Sequence, residues 1–319
     1  MEASLTDVPG VLVGQVTRRG GGWLTGVTVV LPPPGTVAGV DVRGGGPGTH
    51  ETDALDPRTL VQTADAVVLT GGSAYGLVTA HGVQRWCAER GQGFRVGPGE
   101  GDVVPIVPAA AVFDLGRGGE FHHHPTEQMG YEAAAAAGTH VERGVAGAGT
   151  GALVGRRFKG GTGTSSVRLD DLADGLVVGA LAVVNAAGLP TWGGPPPGEA
   201  PGEADGGTPG GPGTALNTTL VCVATNAALD PAETSRTATA AHDGLARALD
   251  PVHTLADGDT AFALATGQLA LPAGRAERVD ALVRLQAAAA RAVRAAVVDG
   301  VERAEAVRVG DLLIPRWPG

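Results

Sequence analysis

Aromatic residues, cysteines and basic runs are all scarce in this chain of 319 residues. Phe, Trp and Tyr make up 3% of the sequence, so Val, Ala and Leu must fill most of the core. Cys87 and Cys222 are too few for a disulfide framework at this length, and we interpret both as buried thiols in a reducing compartment. The net charge of −10 and the lack of a Lys/Arg-rich run argue against nucleic-acid binding, which needs a basic face.

Long apolar segments are missing as well. No run reaches the roughly 18 to 20 apolar residues that a transmembrane helix needs, and residues 1–10 include acidic residues but no apolar signal segment. We therefore expect a cytoplasmic protein without a membrane partner. The length allows one large domain or two small ones with a sizeable core.

Glycine, in contrast, is abundant, with 53 residues that have no three-residue period and so exclude collagen. Short apolar runs between Gly- and Pro-rich turns predict strands, and longer periodic segments predict helices. Asp230-Pro231 with Glu233 is a strong helix start, because it combines an N-cap, a first-turn proline and a capping-box acid. This mixture is typical of α/β layers. The predicted strands are 11–16, 25–31, 37–42, 66–70, 103–107, 110–115, 176–184, 218–225 and 262–265, and the predicted helices are 77–90, 126–137, 231–249 and 274–299. In the last helix, one buried face is expected to hold Val279, Val283, Ala290, Val293 and Val297.

The junction between Asn217 and Thr218 is the most informative position. Residues 193–213 contain only Gly, Pro, Glu, Ala, Asp and Thr, so we expect a disordered linker there. A strongly β-forming run then begins at Thr218. One interpretation is a linker before an ordinary edge strand. The other is autoproteolysis, in which the Thr218 hydroxyl attacks the preceding carbonyl and leaves a free α-amine, which titrates at roughly 7.7–8.0 and is suited to act as the base for its own hydroxyl.

A series of motifs extends over nearly the whole chain outside residues 193–213. They occupy residues 5–11, 43–49, 51–53, 69–77, 159–164, 184–186, 217–220, 223–226 and 257–263. In order and number they resemble the DmpA-type L-aminopeptidase/D-esterase family, and among its relatives most closely the endo-type 6-aminohexanoate-oligomer (nylon oligomer) hydrolases.

The resemblance implies an αββα layered fold of the N-terminal-nucleophile type. It also implies self-cleavage into an α chain, residues 1–217, and a β chain, residues 218–319, which stay together as one folded domain. Relatives form oligomers of such αβ units, so a homo-oligomer such as a tetramer is expected. No metal or organic cofactor is implied.

The resemblance also implies roles for five residues. Thr218 is the expected nucleophile, formed by cleavage after Asn217. Lys159 would keep the α-amine neutral and orient the Thr218 hydroxyl, and Asn185 would stabilise the oxyanion. Asp257 and Asp259 would bind Lys159, the α-amine or the Thr218 hydroxyl. Apart from the resemblance, each of these residues also has a plainer interpretation. Lys159 would be a solvated surface lysine, Asn185 a strand-end turn residue, and Asp-Gly-Asp a tight turn.

A glycine-rich turn at Gly72 and Ser73 is predicted to line the substrate pocket. Tyr75, just after it, would contact the substrate or the oxyanion through its hydroxyl, or would pack half-buried. The histidines at 122–124 suggest a metal tract, but adjacent side chains point apart, so a solvated or interface loop is favoured.

The predicted activity is hydrolysis of amide bonds in small peptides or amino-acid amides, with nylon oligomers as an accidental substrate. Two alternatives remain open. One is acyl transfer of the ornithine acetyltransferase type, and the other is an inactive relative that binds a small molecule.

Overall fold

The computed structural model describes residues 2–99, 101–193 and 216–319, so the predicted linker lies outside the described residues except for Gly193. Three short 3-10 helices occur at Leu5–Asp7, Thr52–Leu55 and Gly147–Gly149. The strands are β1 (Leu12–Gly20), β2 (Trp23–Leu31), β3 (Val37–Val42), β4 (Thr49–His50), β5 (Val67–Thr70), β6 (Phe94–Arg95), β7 (Val103–Val104), β8 (Ala109–Ala111), β9 (Leu153–Val154), β10 (Phe158–Lys159), β11 (Gly161–Arg168), β12 (Val177–Asn185), β13 (Leu189–Pro190), β14 (Thr218–Ala228), β15 (Leu249–Asp250), β16 (Thr260–Ala270), β17 (Val307–Val309) and β18 (Leu312–Ile314). The α-helices are α1 (Ser73–Gly76), α2 (Thr79–Ala88), α3 (Glu127–Ala135), α4 (Pro231–Ala246) and α5 (Arg275–Glu302).

Two five-stranded sheets form the centre of the molecule. The first has the order β1-β2-β5-β8-β4 and the second the order β11-β12-β14-β16-β3. In the second sheet β14 is the middle strand, antiparallel to β12 and parallel to β16. All but the last of its residues are buried, because it is covered on both faces.

The sheets pack face to face, and each carries helices on its outer face. Val30 and Leu69 of the first sheet and Leu181, Leu220 and Phe262 of the second share one buried cluster between the sheets. Helices α2 and α3 cover the first sheet, and α4 and α5 cover the second. This is the predicted αββα arrangement, in which each apolar face is buried against another layer.

Most predicted elements are present with shifted bounds. The predicted strand 103–107 shrinks to Val103–Val104, because Pro105 cannot donate to a strand ladder, and the predicted strand 110–115 is reduced to Ala109–Ala111. Cys87 and Cys222 are free and buried, as predicted. The predicted buried face of α5 is wrong for Val279 and Val283, which are 54% and 60% exposed.

Close backbone contact explains which face of α5 is buried. An added Cβ on Gly163 of β11 would lie 2.1 Å from the carbonyl oxygen of Ala296, and one on Gly161 would lie 2.6 Å from that of Gly300. Small residues therefore set the helix–sheet contact, and the larger valines of the first turns face solvent. None of the described helices has the length and apolarity to cross a membrane.

Candidate active site

The predicted site residues meet at one end of the second sheet, where β12 ends and β11, β14 and β16 begin. On one side of β12, Asn185 is the register partner of Thr218 in β14. On the other side, Val184 is the register partner of Gly161 in β11. Lys159 lies just before β11, and its Nζ binds the carbonyl of Ala152, the residue before Leu153, whose N–H binds Asn185. The sheet and this loop thus bring together three residues that are far apart in sequence, and all three are buried.

The peptide bond between Asn217 and Thr218 is held on both sides. The Thr218 hydroxyl donates a hydrogen bond of 2.5 Å to the carbonyl oxygen of Asn217. The backbone N–H of Gly258 donates to the same oxygen at 2.8 Å, and the N–H of Asn217 donates to the carbonyl of Ala256 at 3.1 Å. The carbonyl is therefore polarised by two donors, with the hydroxyl oxygen next to it.

Lys159 is the only lysine in the chain and is fully buried, so its interpretation as a solvated surface lysine is wrong. Its Nζ donates to the carbonyl oxygens of Ala152, Gly160 and Gly149 at 2.6, 2.7 and 3.0 Å. Burial lowers the pKa of Lys159 well below its ordinary value, and the nearby Arg117 cation lowers it further. The three carbonyl acceptors favour the charged form and oppose this shift.

The side-chain amide of Asn185 is held in place mainly through hydrogen bonds to its oxygen. Its Oδ1 accepts from Arg117 Nη1 at 2.5 Å and from the backbone N–H of Leu153 at 3.0 Å. Its Nδ2 donates to the carbonyl of Phe113 over 3.4 Å, which is long for such a bond. The amide can therefore offer an N–H to a developing oxyanion.

Two further charged residues lie behind Asn185 and were not predicted. Arg117 is 6% exposed and Asp114 is 3% exposed. Burial lowers the pKa of Arg117 to about 10 and raises the pKa of Asp114. Asp114 Oδ1 accepts from the N–H of Gly72 at 2.6 Å, which ties this pair to the glycine-rich turn. The available signal was a carboxylate inside the apolar run 109–115, where a charge needs a partner.

The two aspartates hold the backbone around the nucleophile. Asp259 Oδ1 accepts from the N–H of Thr219 at 2.6 Å, and its Oδ2 accepts from His253 Nδ1 at 2.8 Å. Asp257 Oδ2 accepts from the N–H and hydroxyl of Thr254 at 2.9 and 2.6 Å. Burial raises the pKa of Asp257, and repulsion from Asp259 adds to the shift.

The expected contact of these aspartates with Lys159 is not seen, because Lys159 binds three carbonyl groups instead. The tight-turn interpretation is wrong for Asp257-Gly258-Asp259 itself. The turn lies just before it, at Leu255-Ala256, where the N–H of Asp257 donates to the carbonyl of Thr254, and Asp257 forms a parallel β-bridge with Asn217. His253 was missed, because nothing in the local sequence indicates that it faces Asp259.

The glycine-rich turn contains Gly72, Ser73 and Tyr75, and the hydrogen bond from the N–H of Gly72 to Asp114 connects this turn to the site. Gly72 and Ser73 have φ values of 81° and 52°, in the left-handed region. Tyr75 is 59% exposed, so it does not pack half-buried, and its ring stacks on His124 with centroids 5.1 Å apart. A ring held at the surface in this way is available to a ligand.

The three adjacent histidines point apart, as predicted. His123 stacks on Trp23, His124 stacks on Tyr75, and His122 meets Phe121 edge-on. Over residues 2–99, 101–193 and 216–319, no three His, Cys, Asp or Glu side chains form a group that could hold a metal ion.

The chain is similar to known peptidases over almost its whole length. The sequence profile described as Peptidase family S58 matches residues 3–312. An uncharacterised aminopeptidase of Mycobacterium tuberculosis is 46% identical over 334 aligned positions, which cover 95% of each chain. A 6-aminohexanoate-oligomer endohydrolase of a Kocuria species is 30% identical over 83% of this chain and 76% of its own. The solved structure of an L-aminopeptidase D-Ala-esterase/amidase from Ochrobactrum anthropi superposes with a TM-score of 0.76 at 22% identity, covering 99% of this chain and 91% of that one.

Proposed function

Because the chain belongs to Peptidase family S58, we propose that it cuts its own backbone between Asn217 and Thr218 and then uses Thr218 to hydrolyse small amides. The family, the αββα fold and the enzyme class predicted from the sequence, an N-terminal-nucleophile hydrolase, are confirmed by the profile match and the similar structures. Hydrolysis of peptide or amide bonds is the activity that the relatives' names share.

The self-cleavage step follows from the contacts around Asn217. The Thr218 hydroxyl oxygen attacks the Asn217 carbonyl carbon while the N–H of Gly258 stabilises the charge on the oxygen. The C–N bond breaks, the hydroxyl proton passes to the leaving nitrogen, and an ester forms. Water then hydrolyses the ester, which leaves a carboxylate on Asn217 and a free α-amine on Thr218.

Hydrolysis of a substrate would repeat this chemistry with the α-amine as base. The amine takes the hydroxyl proton as Thr218 attacks the substrate carbonyl, and then gives it to the leaving amine. Asn185 Nδ2 donates to the oxyanion, and water releases the acyl group. The Arg117 cation binds Asn185, the register partner of Thr218, and Lys159 binds the carbonyl next to the one that Arg117 binds. Positive charge there would lower the pKa of the α-amine and keep it neutral.

Asp259 and Asp257 are proposed to position the nucleophile through the backbone. Asp259 binds the N–H of Thr219, the residue after the nucleophile. Asp257 shapes the turn whose next N–H, that of Gly258, contacts the scissile carbonyl. In both roles the aspartate acts through the backbone and does not contact the Thr218 hydroxyl directly.

The α and β chains are proposed to stay associated after the cut. β14, the first strand of the β chain, lies between β12 of the α chain and β16, and β16 pairs in turn with β3 of the α chain. Cleavage before Thr218 leaves these strand pairs intact.

The proposed substrates are small peptides or amino-acid amides, including linear synthetic amides of the 6-aminohexanoate type. The similarity to the Kocuria endohydrolase supports the last of these. Gly72, Ser73 and Tyr75 are proposed to line the entrance for the substrate.

The observation that carries the proposal is the hydrogen bond of the Thr218 hydroxyl to the carbonyl it would attack. Intact mass and amidase activity are measured for wild type, Thr218→Ala and Thr218→Ser, with Thr219→Ala as the matched control. Thr218→Ala should remain one chain without activity, whereas Thr218→Ser and Thr219→Ala should be cut and active. A cut or active Thr218→Ala variant would overturn the proposal.

A further inference from the structure

Arg117 is a buried cation that donates hydrogen bonds to the site, while the nearby Asp114 carboxylate favours its charged form. Its Nη1 donates to Asn185 Oδ1 at 2.5 Å and to the carbonyl of Gly151 at 2.7 Å. Burying a guanidinium carries a large desolvation penalty unless its donors are satisfied. Because Arg117 is buried beside Asn185 despite this penalty, its position indicates a role in the site.

The chemistry of the contacts determines which way the Asn185 amide faces. Arg117 and the backbone N–H of Leu153 can only donate hydrogen bonds, so both require the oxygen of the amide on their side. The NH₂ group must then face the opposite direction. Without these donors, the oxygen and the NH₂ group could exchange places, and an oxygen facing the substrate would repel the oxyanion.

The loop between residues 149 and 153 connects Arg117 to Lys159 and Asn185 through hydrogen bonds. Lys159 binds the carbonyls of Gly149 and Ala152, Arg117 binds that of Gly151, and the next N–H, that of Leu153, binds Asn185. Consecutive peptide groups therefore fix the lysine, the guanidinium and the amide relative to one another. A displacement of Arg117 would be transmitted to the amide both directly and through this loop.

We infer that Arg117 is the positioning residue of the oxyanion site, holding Asn185 with its NH₂ group toward the reacting carbonyl oxygen. Arg117 itself does not touch the substrate and acts through Asn185. The inference rests on the proposed roles of Asn185 and Thr218, and it adds a residue that neither the motifs nor the strand pairing predicted.

A double-mutant cycle tests the inference. The variants are Arg117→Met, Asn185→Ala and their combination, with Arg117→Lys as the conservative variant and the exposed Arg308→Gln as the control. Intact mass gives the cleaved fraction, thermal denaturation identifies folded variants, and kcat and KM for an amino-acid p-nitroanilide are expressed per cleaved enzyme.

Arg117→Met should lower kcat by about 10²-fold, as expected for loss of one oxyanion donor, with KM nearly unchanged. Arg117→Lys should recover part of that loss, because an ammonium can donate to the same oxygen. In the Asn185→Ala background, Arg117→Met should cause no further loss, because residues that act through one another are not additive. Arg308→Gln should match wild type.

A merely structural Arg117 gives a different result. The losses of the two single variants would then multiply in the combined variant, or folded Arg117→Met would keep the wild-type kcat, and either result overturns the inference. If Arg117→Met does not fold, the cycle is run with Arg117→Gln, whose shorter side chain cannot reach Asn185, under the same criteria. Wild type that is active but uncut would instead refute the proposed function, whatever the Arg117 variants do.

Discussion

The backbone N–H of Gly258 donates a 2.8 Å hydrogen bond to the carbonyl oxygen of Asn217, the carbonyl that Thr218 would attack. Position 258 has no room for a side chain, because a Cβ added to Gly258 would lie 2.6 Å from the Thr218 hydroxyl oxygen. The residue between the two aspartates thus supplies a donor to the scissile carbonyl and the space that the nucleophile occupies.

Gly258→Ala should therefore slow self-cleavage by at least about 10²-fold, the cost of losing or displacing one oxyanion donor. The measurement is the fraction of cut chain against time after synthesis, read from intact mass. Gly138→Ala is the matched control, because an added Cβ there meets nothing within 4 Å. If Gly258→Ala is cut as fast as Gly138→Ala, the backbone donor has no part in the cleavage.

Asn185→Asp separates the donor role of Asn185 from its structural role. A carboxylate still accepts from Arg117 and from the N–H of Leu153, so the fold is preserved, but the N–H donor is lost. We expect kcat to fall by about 10² to 10³-fold with little change in KM. Steady-state kinetics per cleaved enzyme would show this, and an unchanged kcat would remove Asn185 from the mechanism.

Lys159 should give the folded chain a characteristic pH dependence. Its pKa is lowered from 10.5 in the folded state, so between the lowered value and 10.5 the unfolded chain binds more protons. The free energy of unfolding should therefore rise with pH through that window, and this rise should be smaller in Lys159→Met. Urea unfolding of the two chains, each also carrying Thr218→Ala so that it remains a single chain, measures the difference. Parallel pH curves would mean that Lys159 titrates normally.

Much of the fold could be predicted from local patterns. Asp230, Pro231 and Glu233 set the start of α4 as predicted, because Asp230 accepts from the N–H of Glu233 and the Glu233 side chain accepts from the N–H of Asp230. β14 begins at the predicted Thr218. In α5, Val279 and Val283 were misassigned because the contact with β11 depends on the close approach of glycine and alanine, which a hydrophobic pattern does not report.

The site was predictable only in part, for a related reason. Thr218, Asn185 and Lys159 have recognisable local motifs, and the sheet register explains why Thr218 and Asn185 meet. The contacts of Arg117 and His253 arise from tertiary packing between segments distant in sequence, 68 residues apart for Arg117 and Asn185. The burial of Lys159 likewise depends in part on the Gly149 and Ala152 carbonyls of another loop, which its own sequence neighbours do not indicate.

The most direct test of the account uses the single lysine of the chain. Reductive methylation of the active enzyme after unfolding should modify its α-amines and, among side chains, Lys159 alone. Mass spectrometry after digestion should then find a dimethylated peptide that begins with Thr218-Thr219-Leu220, besides the one from the start of the chain. Active enzyme in which the peptide spanning Asn217 and Thr218 is intact, with no modified Thr218, would contradict the account.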